Sequence, residues 1–300
     1  MTGSHKGGAP PCLVFLHIPK TAGTTLSHMI VRRFRREQIF HVRNPKFPKG
    51  PVYSENYGTV EAFQALPETE RAGFRCILGH FHYGLHRWIP GPAVYVTMVR
   101  DPIERLLSQL SQYNKMIRNS EIASQGQVSL QEYLRVAPAA AENHHARFLL
   151  GVDDYDVLDA AERRSLVLTA LRERFLWVGV QEQFDESVVL LHRKLGWTPL
   201  PFGRLNVSPD RTRLEDYPPE TISRLRSINQ LDLAVHEYAV DRLLSETRAL
   251  RGFERKVRRY RKLGRWAERR PVLYRIMSMM IGARKRWSGR GMIGPAPHTA

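Results

Sequence analysis

The chain has 300 residues, with 46 Lys plus Arg against 29 Asp plus Glu, a formal charge of +17 and a pI of about 10.3. Its 42% hydrophobic and 25% charged composition is globular and excludes disorder throughout. Only two cysteines, Cys12 and Cys76, exclude a small disulfide scaffold, and the length allows an ample core.

Residues 1–11 are rich in Gly and Pro and read as a flexible lead. Cys12–His17 (CLVFLH) is a short apolar run that suits a buried strand. The small-residue loop Ile18–Thr25 follows, and then a helix from about Thr24 to Glu37 with Leu26, Met29, Ile30 and Phe34 on one face and Arg32, Arg33, Arg35 and Arg36 elsewhere. Residues 41–58 hold Pro, Asn and Gly and read as irregular; Thr59 suits the N-cap of a short helix to Leu66. Arg75–Leu78 is a strand candidate ending at Gly79-His80. Ala93–Val99 (AVYVTMV) is the strongest strand, continuous and β-branched as a buried parallel strand should be. Asp101-Pro102 opens a helix to about Ile117, with Pro in the first turn, where its missing N–H costs nothing.

Ser129–Val136, Ala139–Leu149 and Asp159–Arg172 read as helices, Phe175–Val180 as a strand, and Asp185–Leu195 as a helix ended by Gly196. Residues 197–217 read as loop, and Pro218–Leu250 as helical with a break near Leu231. Strands alternating with helices predict an α/β fold with a central, mainly parallel sheet flanked by helices and a basic helical C-terminal extension.

The charge is unevenly placed. Residues 251–300 hold 15 Lys/Arg and 2 Asp/Glu, which leaves 31 basic and 27 acidic residues in the first 250. The domain reading is therefore a body at 12–250, a basic amphipathic tail at 251–287 and a disordered end at 288–300. In the tail Phe253, Val257, Tyr260 and Leu263 recur at helical spacing among Arg and Lys, as do Val272, Leu273, Ile276, Met277, Met280 and Ile281, with Trp266 and Trp287 flanking the second set. Such a helix suits an anionic membrane surface, or docking on the body with its charges solvated. The near-neutral body gives no nucleic-acid groove, so no nucleic-acid partner is expected. No signal peptide or membrane-spanning segment is read, so the expectation is a cytoplasmic protein, peripheral on a membrane if the tail attaches to one, with buried thiols. A Cys12–Cys76 disulfide is the alternative. The oligomeric state is not legible.

Two loops carry chemistry. In Lys20-Thr21-Ala22-Gly23-Thr24-Thr25, small residues let backbone N–H groups approach an anion, the following helix adds its positive end, and Lys20 adds a full charge. Lys20 precedes the glycine, so this is not a Walker A loop. The ordinary reading is a strand–helix turn with a solvated Lys. After the strongest strand comes Val99-Arg100-Asp101-Pro102-Ile103-Glu104-Arg105-Leu106-Leu107-Ser108. Arg100 suits paired hydrogen bonds to phosphate oxygens, and Ser108 lies about two turns into the helix. Their ordinary readings are a salt bridge to Asp101 or Glu104 and a neutral helix position. Between the loops stand Gly79-His80, His82 and His86. Neutral imidazole suits proton abstraction from a hydroxyl, whereas a strand-end hydrogen bond is the plain reading. These three His have no Cys or well-spaced carboxylate beside them, so no metal site is expected. His144-His145 read as surface or core.

The segment His17–Thr25 (HIPKTAGTT) resembles the 5′-phosphosulfate loop of sulfotransferases that use 3′-phosphoadenosine 5′-phosphosulfate (PAPS), and the Arg100–Ser108 segment resembles their 3′-phosphate motif. The likeness is to the carbohydrate branch, such as the heparan sulfate 2-O- and 6-O-sulfotransferases, and covers residues 12–245. It implies a P-loop-kinase-like sulfotransferase fold. It also implies PAPS as donor, bound through Lys20, Thr21, Ala22, Gly23, Thr24, Thr25, Arg100 and Ser108. Gly79-His80 matches a Gly-His whose His is the catalytic base of the 2-O enzymes, so the resemblance puts the base at His80, with His82 and His86 as alternatives. Those enzymes carry a second His two residues earlier, where this chain has Leu78. Trp177–Phe184 resembles the family's fourth-strand region. Arg204–Ser208 resembles its late loop and makes Asn206 and Ser208 candidates for donor contacts. The implied reaction transfers a sulfuryl group to a hydroxyl of a carbohydrate or glycolipid, with Lys20 stabilising the leaving phosphate and no metal. The competing readings are an ATP-dependent P-loop-like kinase and a non-enzymatic membrane adaptor.

Overall fold

A computed structural model describes residues 10–43, 53–118, 126–199 and 214–270. Its centre is a six-stranded parallel sheet of β1 (Cys12–Leu16), β2 (Ile39–Val42), β3 (Tyr57–Gly58), β4 (Cys76–Gly79), β5 (Ala93–Val99) and β6 (Phe175–Val180), in the order β3-β2-β4-β1-β5-β6. Around it lie α1 (Gly23–Val31), α2 (Val60–Ala65), α3 (Glu68–Arg71), α4 (Pro102–Arg118), α5 (Leu130–Val136), α6 (Pro138–Ala141), α7 (His144–Leu150), α8 (Val152–Val157), α9 (Ala160–Glu173), α10 (Phe184–Lys194), α11 (Pro219–Ser227), α12 (Gln230–Arg248) and α13 (Phe253–Arg269). This is the α/β architecture expected from the alternation of strands and helices.

β1 is central because every one of its residues is apolar or Cys and buried, as a strand covered on both faces requires. Leu16 is in register with Gly79 on one side and Thr97 on the other. The Thr97 hydroxyl donates to the Leu16 carbonyl at 2.8 Å. The C-terminal ends of β4, β1 and β5 therefore lie side by side. In open parallel sheets this is where ligands bind. Edge strand β6 has carbonyls engaged by α12: Arg242 donates to Phe175 O at 2.8 Å and Leu176 O at 3.2 Å, and also to Leu171 O of α9 at 2.7 Å. An edge engaged in this way is a poor template for pairing with a second chain.

A second apolar cluster joins α4 to α5, α6 and α11 through Ile103, Leu106, Leu110, Tyr133, Ala141 and Leu225. Cys12 and Cys76 are buried free thiols; burial lifts Cys12 to about 12 and Cys76 well above its ordinary value.

Several expected elements differ. Residues 41–58 are not irregular throughout, because they include the end of β2 and the short β3. Both are stabilised by pairing across the sheet rather than by a local pattern. The first helix stops at Val31, not Glu37: Arg33 and Phe34 donate to the carbonyls three residues back, and a 3₁₀ turn at Arg36–Gln38 follows. Arg33, placed on the polar face by periodicity, is buried. Its guanidinium donates to Thr198 O at 2.5 Å and lies over the Trp197 ring. The helix read over 139–149 is two, α6 and α7, interrupted at Asn143, whose φ of 44° leaves helical geometry. The break near Leu231 falls at Ile228–Asn229.

The first part of the basic tail, α13, packs on α10. Phe253, Val257 and Tyr260 join the main core, whereas Leu263, read on the same stripe, stays exposed, and Arg261 pairs with Asp185 and Glu186. Arg255, Lys256, Arg258, Arg259, Lys262 and Arg269 stay exposed. Among the described residues no helix is long and apolar enough to cross a membrane. The apolar set at 272–281 lies outside the described residues.

Candidate active site

The loop after β1 is built to expose backbone donors. Lys20 and Ala22 both adopt left-handed backbone, φ 70° and 62°. Such angles are uncommon for residues with a Cβ and persist where surrounding contacts hold them. Here the Thr21 hydroxyl donates to Ile18 O at 2.8 Å, with Thr21 fully buried, and Lys20 O accepts from the Arg100 guanidinium at 3.2 Å. Ala22 is the N-cap of α1 and offers no side-chain cap, and the first turn of α1 carries no acidic residue. The first N–H groups of a helix have no intrahelical partner. With the helix dipole they form a positive end suited to a phosphate or sulfate.

Gly23 has a packing role. A Cβ there would sit 1.9 Å from the His17 imidazole. That ring stacks on Phe15 at 5.5 Å between centroids and meets the His80 ring at 4.1 Å. Burial, then the neighbouring His80, His41 and Lys20, hold the His17 pKa well below the ordinary imidazole value.

His80 follows β4 directly. Its Nδ1 lies 2.7 Å from His17 O. A carbonyl only accepts, so Nδ1 carries the hydrogen and the neutral ring presents its lone pair at Nε2. The residue opens to solvent at the C-terminal end of the strands, yet protein packed around the ring lowers its pKa by desolvation, against the opposing pull of the His17 carbonyl. Near pH 7 the ring is neutral, with its acceptor lone pair on Nε2. Gly79 permits this turn: its φ is 145°, and a Cβ would lie 2.0 Å from Val42 O.

The alternative histidines are placed differently. The His86 ring lies 3.1 Å from the Tyr95 hydroxyl, beside the middle of β5 rather than its C-terminal end. The His82 ring packs on Phe148 at 4.9 Å. Among the described residues no group of three or more His, Cys, Asp or Glu is arranged to hold a metal ion.

Arg100, at the end of β5, is buried. Its terminal nitrogens reach Lys20 O at 3.2 Å and Glu104 Oε2 at 3.2 Å, the salt bridge that its spacing allowed, and its Nε has no partner among the described residues. A guanidinium has five N–H donors, so this cation keeps donors for an anion. Burial lowers its pKa, opposed by Glu182 and Asp101. Asp101 caps α4, accepting from the N–H groups of Ile103 and Glu104 at 3.0 and 2.9 Å. Ser108 is half-buried on α4. The structure thus links the Lys20 loop to Arg100 directly, and His80 to the same loop through His17. Asn206 and Ser208 lie outside the described residues. The sequence reading gave no role to His17, His145, Glu182 or Asp232. His17 stands inside the quoted motif and is the most accessible of these from the sequence, whereas the others meet partners distant in sequence.

The chain matches the family described as galactose-3-O-sulfotransferase over residues 3–276. It is similar to human galactose-3-O-sulfotransferase 3, 29% identical over 75% of this chain and 54% of the relative, and to bovine galactosylceramide sulfotransferase, 30% identical over 64% of this chain and 47% of the relative. It is also 24% identical to human heparan-sulfate 6-O-sulfotransferase 1 over 82% of this chain and 69% of the relative. The chain spans about half the length of the galactose-directed relatives. With a family match covering most of its length, this chain belongs to the galactose-3-O-sulfotransferase family.

Proposed function

We propose that the protein transfers a sulfuryl group from PAPS to a hydroxyl of a carbohydrate or glycolipid acceptor, with a galactose-bearing acceptor the first class to test. The observation that carries this reading is the fixed tautomer of His80 beside an uncapped, Lys-bearing helix N-terminus. The acceptor hydroxyl attacks sulfur and forms a new S–O bond. The bond from sulfur to the bridging oxygen breaks, and that electron pair leaves on the 5′-phosphate of adenosine 3′,5′-bisphosphate. His80 Nε2 takes the hydroxyl proton. Lys20 and the N–H groups at the start of α1, with Thr21, Ala22, Gly23, Thr24 and Thr25 shaping the loop, stabilise the charge on the leaving phosphate, which is where preorganised electrostatics help most. Arg100 and Ser108 hold the 3′-phosphate, and the Nε of buried Arg100, without a partner among the described residues, supports that role. Asn206 and Ser208 are retained as late-loop donor contacts.

The exposed Arg and Lys of α13 support an anionic membrane surface as a neighbour, which would suit a lipid-borne acceptor. The contact would be electrostatic in this segment, since the apolar stripe of α13 faces the core.

The test incubates the full chain with labelled PAPS and galactosylceramide, lactosylceramide or N-acetyllactosamine, with excess ATP as competitor. Label in a galactose-bearing product, undiminished by ATP, is expected. No transfer to any acceptor, together with no binding of adenosine 3′,5′-bisphosphate by calorimetry, would overturn the reading.

A further inference from the structure

A buried polar network stands behind Arg100, outside the groups assigned to the reaction. His145, at the start of α7, and Asp232, in the first turn of α12, are fully buried. Asp232 Oδ2 accepts from the His145 backbone N–H at 2.8 Å and lies 2.7 Å from His145 Nδ1; Oδ1 accepts from Ala146 N–H at 2.9 Å. The exchange is reciprocal. Asn143 Oδ1 accepts from the Leu231 and Asp232 N–H groups at 3.0 and 3.2 Å, so each helix start caps the other.

The far side of the imidazole faces the donor site. His145 Nε2 lies 3.3 Å from the Arg100 backbone nitrogen. That N–H can only donate, so Nε2 must hold a lone pair, and the ring hydrogen sits on Nδ1, pointing at Asp232. The tautomer is set by Asp232 and read by Arg100. The Arg100 guanidinium is held independently at Lys20 O and Glu104. Backbone and side chain are therefore fixed by separate contacts, as a preorganised anion clamp requires.

We propose that Asp232 and His145 are positioning residues that hold the Arg100 backbone so that its guanidinium meets the 3′-phosphate of the donor nucleotide. The inference rests on the reading of Arg100 as the 3′-phosphate ligand, and its test separates the two. Asp232→Asn places an amide N–H₂ against a donor in either amide orientation. With the amide toward His145, the ring is driven to the Nε2–H tautomer, and that hydrogen then opposes the Arg100 N–H. His145→Leu removes the acceptor outright. His145→Gln keeps an oxygen near the Nε2 position.

Calorimetry on the full chain compares adenosine 3′,5′-bisphosphate with 5′-AMP, which lacks the 3′-phosphate. Asp232→Asn and His145→Leu should weaken the bisphosphate by about tenfold, the order of one charge-assisted hydrogen bond, and leave 5′-AMP unchanged. His145→Gln should stay within about threefold of the parent, an acceptor being retained. If Asp232→Asn does not fold, the Leu and Gln variants decide on the same readout. Equal losses for both nucleotides, or a Gln variant as weak as the Leu variant, would show a general structural role and overturn the inference. A parent that does not distinguish the two nucleotides would defeat the assignment of Arg100 itself, and the inference with it.

Discussion

Gly79→Ala tests the geometry on which the proposed base depends. Gly79 ends β4 with φ at 145°, a conformation that L side chains rarely adopt, and the added methyl would lie 2.0 Å from Val42 O and 2.9 Å from Val42 C. These are backbone atoms of β2, the strand paired with β4, so the contact cannot be relieved by turning a side chain. The sheet must open locally or the φ must change. Backbone strain of this kind costs roughly 1–3 kcal/mol and an overpacked contact roughly 1–3 kcal/mol, about 2–6 kcal/mol together. For a protein of this size each kcal/mol lowers Tm by about 2–4 °C, so a fall of roughly 4–24 °C is expected. Urea unfolding followed by circular dichroism would measure the loss as a lower midpoint at constant slope. His80 is the next residue, so a folded variant should also lose turnover while binding adenosine 3′,5′-bisphosphate. A variant within about 0.5 kcal/mol of the parent, the range of ordinary surface changes, would refute the argument from this close approach.

His80→Ala should lower kcat by about 10²- to 10⁴-fold, the usual contribution of a general base, while calorimetry shows little change in nucleotide affinity. In the parent, kcat/KM should rise with pH through a midpoint below the ordinary imidazole value of 6.5, because desolvation favours the neutral ring; a midpoint above 6.5 would count against His80. Lys20→Ala should reduce kcat by about 100-fold or more in steady-state assays, in line with the loss of a charge-stabilising donor. Buried His192, held to about 3 by desolvation and then by Arg33, should make the fold acid-sensitive. Its folded pKa lies below the unfolded value, so the unfolded chain takes up the proton first. The stability that the neutral ring contributes is complete above pH 6.5 and declines by about 1.4 kcal/mol per pH unit as pH falls toward 3. His192→Phe should flatten that part of a denaturation-versus-pH curve, and an unchanged slope would contradict the reasoning.

The strands that carry their own signal were legible in the sequence. β5 and β6 are continuous apolar runs, and their length and β-branched content leave little choice of structure. β2 and β3 were not, since four residues and two residues hold no period, and they become strands by pairing with β4 and with each other. Periodicity also misjudged Arg33. A helical wheel sees its charge, whereas the fold brings Trp197 and the Thr198 carbonyl to it from 164 and 165 residues away. The same distinction divides the site. Lys20, Gly23, His80 and Arg100 each follow a strand or open a helix and could be found from their flanks. His145 and Asp232 are 87 residues apart and gain meaning only when α7 meets α12.

Sheet register explains why the three loops act on one another. β1 pairs with β4 and β5 at once, and Leu16 opposes both Gly79 and Thr97. The next residues on β1 and β4 are His17 and His80, which share a hydrogen bond and a ring contact; three residues beyond Thr97 stands Arg100, which reaches back to Lys20. A one-residue slip of β4 against β1 would carry His80 away from the His17 carbonyl and free its tautomer. The same slip would turn Cys76, Ile77 and Leu78 to the opposite faces. All three are buried among apolar neighbours, so the core resists the slip. The apolar packing that selects the register of β1 and β4 therefore also selects which nitrogen of His80 carries the hydrogen. In this fold the proposed proton acceptor is specified by the hydrophobic core before any substrate arrives.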